Sequence, residues 1–163
     1  LENLLAAACI GHHFGLKNDE IKKGLESYVP QNNRSQVVQT KTNLLLMDAY
    51  NANPSSMRAA IENFARLPFP NKILILGSMA ELGADSRKEH ESILQLIQSH
   101  SWKQVVLVGA EFSAIPHSFL SFANSGEAAQ WFQQQHFTQH SFLVKGSRSM
   151  QMEKVIEDVL PKK

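Results

Sequence analysis

Apolar positions along the chain fall into short unbroken runs and stripes at helical spacing, and from about residue 35 the two alternate. Leu4, Leu5, Ala8, Cys9 and the neighbouring alanines predict a helix over residues 1–14, with Gly15 beyond its end. Asn18 and Asp19 offer a cap for a second helix carrying Ile21, Leu25 and Tyr28, ended by Pro30. The run Pro30-Gln-Asn-Asn33 reads as a linker. Val37 and Val38 mark a strand over residues 35–40, and Lys41-Thr-Asn43 a tight turn. Leu44 to Met47 then runs back as the second arm of a hairpin, closed by Asp48. Asn53 before Pro54 starts a helix with Met57, Ile61 and Phe64 on one face.

Strands are predicted over residues 72–76, 105–108, 118–122 and 141–145. Between them, Ser86 and Glu89 form a capping-box pattern for a helix carrying His90, Ile93, Leu94 and Ile97. Ser125 is the expected cap of a helix with Ala128, Ala129 and Phe132, and Met152, Val155, Ile156 and Val159 define a closing helix. Strands and helices joined by short connections imply an α/β fold with a mostly parallel sheet covered on both faces, its first strand antiparallel.

The length, 163 residues, suits one domain with an appendage. Apolar residues at 43% and charged residues at 19% are an ordinary globular mix. A net charge of +1 without a basic stripe argues against a nucleic-acid partner. Cys9, the single cysteine, has no internal partner and points to a reducing, cytoplasmic setting. The longest apolar run, Leu4 to Ile10, is too short to span a bilayer, so no membrane association is expected. The chain begins at Leu1 in mid-pattern, which reads as a piece of a longer protein.

Polar residues gather where strands end, at Asp48 to Asn53, Ser78 to Glu81 and Lys145 to Ser149. In a parallel sheet these ends share one edge, the usual place for a ligand. Asp48 can accept two hydrogen bonds from a diol such as a ribose, or equally bond backbone N–H groups of its own loop. Lys145, Ser147 and Arg148 suit a carboxylate or phosphate, or form a solvated basic loop. Gly77 and Gly83 bracket a loop that matches no phosphate cradle. The seven histidines form no metal set, and no Gly-Lys-Ser/Thr loop is present to hold a nucleotide triphosphate. No catalytic residue and no metal ligand is therefore assigned within this chain.

Three stretches carry a resemblance: Asp48-Ala-Tyr-Asn-Ala-Asn-Pro-Ser-Ser-Met57, Leu76-Gly-Ser-Met-Ala-Glu-Leu-Gly83 and Val144-Lys-Gly-Ser-Arg-Ser-Met-Gln-Met-Glu153. Together, in this order, they resemble the Mur ligase family over essentially the whole chain. The resemblance implies a three-domain, cytoplasmic, monomeric enzyme of peptidoglycan synthesis. By the same resemblance it would be an ATP-dependent amide ligase with UDP-N-acetylmuramoyl-tripeptide and D-alanyl-D-alanine as substrates, acting through an acyl phosphate. Residues 1–30 would be the helical tail of a central ATPase domain, and residues 31–163 a C-terminal Rossmann-like domain. The phosphate-binding loop and the main ligands of Mg2+ would lie upstream, in the central domain.

Residue by residue, the resemblance places Asn3 near the adenine, Arg34 at the ATP phosphates and Asp48 on the ribose. Lys145, Ser147 and Arg148 lie in the loop for the incoming dipeptide, and Tyr50 and Asn51 face the same cleft as substrate-side groups. The sequence departs from the family pattern at Met47, where an acid is usual, at Asn33 before Arg34, where glycine is usual, and at Ser78, where an acid is usual. Another amino-acid ligase of this family stays open as an alternative. So does a receiver-like signalling or binding domain, with Asp48 and Lys145 at two strand ends, although the acid pair after a receiver's first strand is missing.

Overall fold

The structure is a computed structural model and describes residues 2–28 and 34–160. The chain divides into two units, Leu1–Pro30 and Gln31–Lys163. The first is a helical hairpin of α1 (Glu2–His13) and α2 (Asn18–Ser27). Gly15 at φ +78° makes the turn, in a left-handed conformation that side chains disfavour. The helices meet at Gly11, where an added Cβ would lie 3.0 Å from the Ile21 side chain. Asn18 does not cap α2. The Glu20 carboxylate reaches back to accept from the Lys17 N–H at 2.8 Å, so the helix starts one residue earlier than the Asn-Asp pair suggests. Leu5, Ile10 and Phe14 are 57%, 59% and 78% exposed, so this hairpin buries little of its own apolar surface. The expected helix stop at Pro30 and the linker to Asn33 lie outside the described residues.

The second unit alternates as expected. Its elements are β1 (Gln36–Gln39), β2 (Leu44–Asp48), α3 (Pro54–Arg66), β3 (Lys72–Gly77), α4 (Ser86–Gln98), β4 (Gln104–Val108), α5 (Ala110–Ser113), β5 (Leu120–Phe122), α6 (Ser125–Gln134) and β6 (Ser141–Lys145). The six strands form one sheet in the order β1-β2-β6-β3-β4-β5. Only the β1–β2 pair is antiparallel; the other pairs are parallel. The mostly parallel sheet with an antiparallel first strand is the architecture that the alternation predicts.

Strand alternation sends successive side chains to opposite faces and so makes two cores. Leu45, Met47, Ile73, Ile75, Phe142 and Val144 pack with α6 and the closing helix. Leu74, Leu76, Leu107 and Leu143 pack with α3 and α4. Each core has a tryptophan at its margin. Trp102 stacks on Phe64 with centroids 6.0 Å apart, while Trp131 packs among Phe122, Phe132 and Phe137 on the other face.

Several helix ends differ from expectation. Asn124, not Ser125, caps α6: its side chain accepts from the Glu127 N–H at 3.0 Å. Ser86 lies inside α4, because a 3-10 turn over Gly83–Asp85 leads into that helix and no side-chain cap is made. The closing element, Met152–Val159, is a 3-10 helix. The four-residue α5 is too short to show a periodic stripe in the sequence.

The ends of β3 and β6 approach so closely that only glycine fits. A Cβ on Gly146 would lie 2.7 Å from Met152 Cγ and 3.0 Å from Gly77 Cα. Replacing Gly146 by alanine is expected to destabilise the chain by about 1–3 kcal/mol through overpacking. Chemical denaturation would show it as a lowered midpoint. At Gly24, where nothing lies within 4 Å, the same change should leave packing untouched.

Candidate functional site

The site is built by register. In β2, Leu46 and Asp48 share the face covered by α3; in β6, Leu143 and Lys145 do the same. The two strands are parallel neighbours with Asp48 directly opposite Lys145. The Lys145 ammonium donates to Asp48 Oδ2 at 2.5 Å and to the Asn51 carbonyl at 3.0 Å. Asp48 Oδ1 accepts from the Ser35 N–H at 3.2 Å. The lysine side chain is 1% exposed and the aspartate side chain 29%. The pair is therefore closed on one side and open to solvent on the other.

The loop after β2 is firmly held. Asn51 Oδ1 accepts from the Ala52 N–H at 2.8 Å. Asn53 caps α3 by accepting from the Ser56 N–H at 2.8 Å, and the Ser56 hydroxyl accepts from the Asn53 N–H at 3.1 Å. Beside it, the Arg34 guanidinium lies 3.5 Å over the Tyr50 ring, a cation–π contact between exposed side chains. β1 runs antiparallel to β2, so its leading residues, Arg34 and Ser35, arrive at the carboxyl end of β2.

Ser147 ties the other two strand-end loops to this one. Its buried hydroxyl accepts from the Ala80 N–H at 2.7 Å and donates to the Ala52 carbonyl at 3.3 Å. Its own N–H donates to the Ser78 carbonyl at 3.2 Å. Below the middle loop, His90 is fully buried on α4. Its Nε2 accepts from the Met79 N–H at 3.0 Å, and Nδ1, 2.7 Å from the Ser86 carbonyl, carries the ring proton. These two partners fix a neutral tautomer. The Ser78 hydroxyl holds the Glu111 carboxyl below the ordinary carboxylate range, with burial opposing.

Arg34, Asp48, Tyr50, Asn51, Lys145 and Ser147 are thus gathered at one edge of the sheet. Arg148 begins the 3-10 turn Arg148–Met150 just beyond β6, and its guanidinium donates to Glu153 at 3.0 Å with 62% of the side chain exposed. Asn3 lies on α1 in the other unit. The role of His90 as an anchor for the middle loop was not read from the sequence; its spacing of four from Ser86 on an apolar helix face was the available signal. The chain leaves β2 and β3 toward the face of α3 and α4, and leaves β6 toward the opposite face. That divergence falls at the carboxyl ends of the strands, where ligands bind in sheets of this kind. Among the described residues no group of three or more His, Cys, Asp or Glu could hold a metal ion.

The family pattern described as Mur ligase, glutamate ligase domain matches residues 33–148. The chain belongs to the Mur ligase family. Among curated relatives, UDP-N-acetylmuramoyl-tripeptide–D-alanyl-D-alanine ligase of Escherichia coli is 35% identical over 165 residues, covering 96% of this chain and 36% of the relative. The enzyme of the same name from Buchnera aphidicola is 31% identical, covering 98% of this chain and 36% of the relative. Of solved structures, a MurF from Acinetobacter baumannii superposes with a TM-score of 0.83 at 30% identity, over 98% of this chain and 37% of that one. The MurF ligase from Thermotoga maritima in complex with ADP gives 0.79 at 26% identity, over 95% of this chain and 36% of that one. The chain thus spans about a third of the length of these Mur ligases and corresponds to their C-terminal domain. No described helix is long and apolar enough to cross a membrane.

The unequal burial of the ion pair makes its two halves unequal in stability. Replacing Asp48 by leucine strands a buried ammonium, with an expected loss of about 3–5 kcal/mol. Replacing Lys145 by methionine leaves a carboxylate that water still reaches, with a loss of about 1–2 kcal/mol. The double replacement should recover most of the larger loss. Urea denaturation of the four proteins measures all three values.

Proposed function

We propose that this chain carries, in residues 31–163, the C-terminal domain of a cytoplasmic, monomeric ATP-dependent amide ligase. The enzyme joins D-alanyl-D-alanine to a UDP-N-acetylmuramoyl-tripeptide through an acyl phosphate, in the building of peptidoglycan. Support comes from the names of the relatives and, above all, from a carboxylate fixed at the carboxyl end of β2 with part of its surface open to solvent. Asp48 uses one oxygen on Lys145 and the other on the Ser35 N–H. A carboxylate has about four lone-pair sites, so two remain for the two hydroxyls of a ribose. Arg34, exposed and seated over Tyr50, presents a forked donor suited to phosphate. The nucleotide therefore fits the residues present.

In this reading, residues 1–30 are the helical tail of the central ATPase domain, and their exposed apolar side chains pack against the rest of that domain in the full-length protein. Asn3 on α1 is assigned to the adenine. The divalent ion, Mg2+, is assigned mainly to upstream residues. When bound, ATP supplies the phosphoryl group that activates the tripeptide carboxylate. Arg34 and Asp48 hold the nucleotide from the side of this domain. Tyr50, Asn51 and the exposed Arg148 line the side where the dipeptide arrives, with Lys145 and Ser147 buried beneath them as the support of that loop. Holding an amine against an acyl phosphate with water excluded supplies the proximity that the reaction needs.

In the full-length ligase, Arg34→Ala and Asp48→Asn are each expected to raise the KM for ATP about tenfold or more, the loss of a charged hydrogen bond. The KM for D-alanyl-D-alanine should change far less. A coupled assay of phosphate release, run with the dipeptide and with single amino acids, measures both constants and tests the choice of acceptor. Unchanged ATP kinetics in both variants would remove these residues from the nucleotide site.

A further inference from the structure

We propose that Lys145 is a positioning residue for the nucleotide: its buried ammonium aims the Asp48 carboxylate at the ribose hydroxyls and itself touches neither nucleotide nor dipeptide. The inference rests on the reading of Asp48 given above and adds to it a residue with a different job.

The argument begins with access. Lys145 is 1% exposed, whereas Arg148 in the following turn is 62% exposed. A carboxylate arriving from solution reaches the arginine and not the lysine. Of the three N–H donors of Lys145, one goes to Asp48 Oδ2 and one to the Asn51 carbonyl. The cation is thus directed inward, onto its own domain.

The second part is geometry. An aspartate at a strand end has several χ1 wells and a broad χ2. Here its two oxygens are gripped from different directions, Oδ2 by Lys145 from the neighbouring strand and Oδ1 by the Ser35 N–H at the start of β1. The plane of the carboxylate is set before any ligand arrives, and its remaining lone pairs belong to the side that keeps 29% exposure. Preorganisation of this kind lowers what binding must later order. Lys145 also restrains Asn51, the neighbour of Tyr50 on which Arg34 is seated. One ammonium therefore holds both the carboxylate and the backbone of the loop that carries Tyr50.

The test uses the full-length ligase and two nucleotides, ATP and 2′,3′-dideoxy-ATP, which lacks both ribose hydroxyls. The KM ratio of the dideoxy compound to ATP is expected to be about tenfold or more in the unaltered enzyme. Asp48→Asn should bring the ratio close to one. Lys145→Gln should do the same while leaving the KM for D-alanyl-D-alanine within about twofold. A purely structural loss would not move the ratio, and KM does not depend on the fraction of enzyme that is folded. If Asp48→Asn collapses the ratio and Lys145→Gln preserves it, the positioning role is overturned and the ribose reading survives. If Lys145→Gln instead raises the KM for the dipeptide, Lys145 contacts that substrate and the inference fails. A ratio near one in the unaltered enzyme overturns the ribose reading and the inference together.

Discussion

A single ion pair between adjacent parallel strands governs the functional edge of this domain. A lysine with 1% exposure is tolerable only where a carboxylate meets it. The carboxylate can meet it only if β2 and β6 are neighbours in the register that sets Asp48 opposite Lys145. A shift of one residue would send one of the two side chains into the other core. The pair thus links the long-range topology of the sheet to the placement of one functional group. Because β1 is antiparallel, the same group also receives the Ser35 N–H, so three segments distant in sequence converge on one carboxylate.

Around that pair the loops are cross-braced by polar groups, the buried Ser147 and His90 and the exposed Asn53. Ser147 bridges to Ala80 and Ala52, His90 props Met79 from below, and Asn53 closes the first turn of α3. Gly77 and Gly146 allow two strand ends to come together under Met152. The result is a braced floor at the carboxyl ends of the strands. Arg34, Tyr50 and Arg148 stand above it with much of their surface in water. Such a division suits a domain that meets its ligands as a preformed surface: the buried groups hold shape, and the exposed ones make contact.

Much of this was legible in the sequence, and the limits have physical causes. The strands were readable because buried parallel strands are unbroken apolar runs, and α3 because Asn53, Pro54 and its apolar stripe agree. The gathering of the three strand-end loops followed from the handedness of crossovers. The burial of Lys145 was not readable. A lysine at a strand end ordinarily stands in solvent, and its partner, Asp48, is nearly a hundred residues away in a strand whose neighbours no local pattern names. The caps failed for a more local reason. Asn124 and Ser125 are both good cap residues, and backbone direction, invisible in the sequence, chose the first. At α4 the preceding 3-10 turn removed the need for a cap, and Ser86 became the first residue of the helix instead.

The two tryptophans fall on opposite sides of the sheet, Trp102 stacked on Phe64 beneath α3 and α4, and Trp131 in the aromatic cluster on the side of α6. They are the only two in the chain. Each layer therefore carries its own intrinsic fluorophore, and replacing either one by phenylalanine yields a protein whose emission reports on a single layer. Loosening of the packing under the β2–β6 edge then becomes optically separable from loosening of the opposite layer, with no label added.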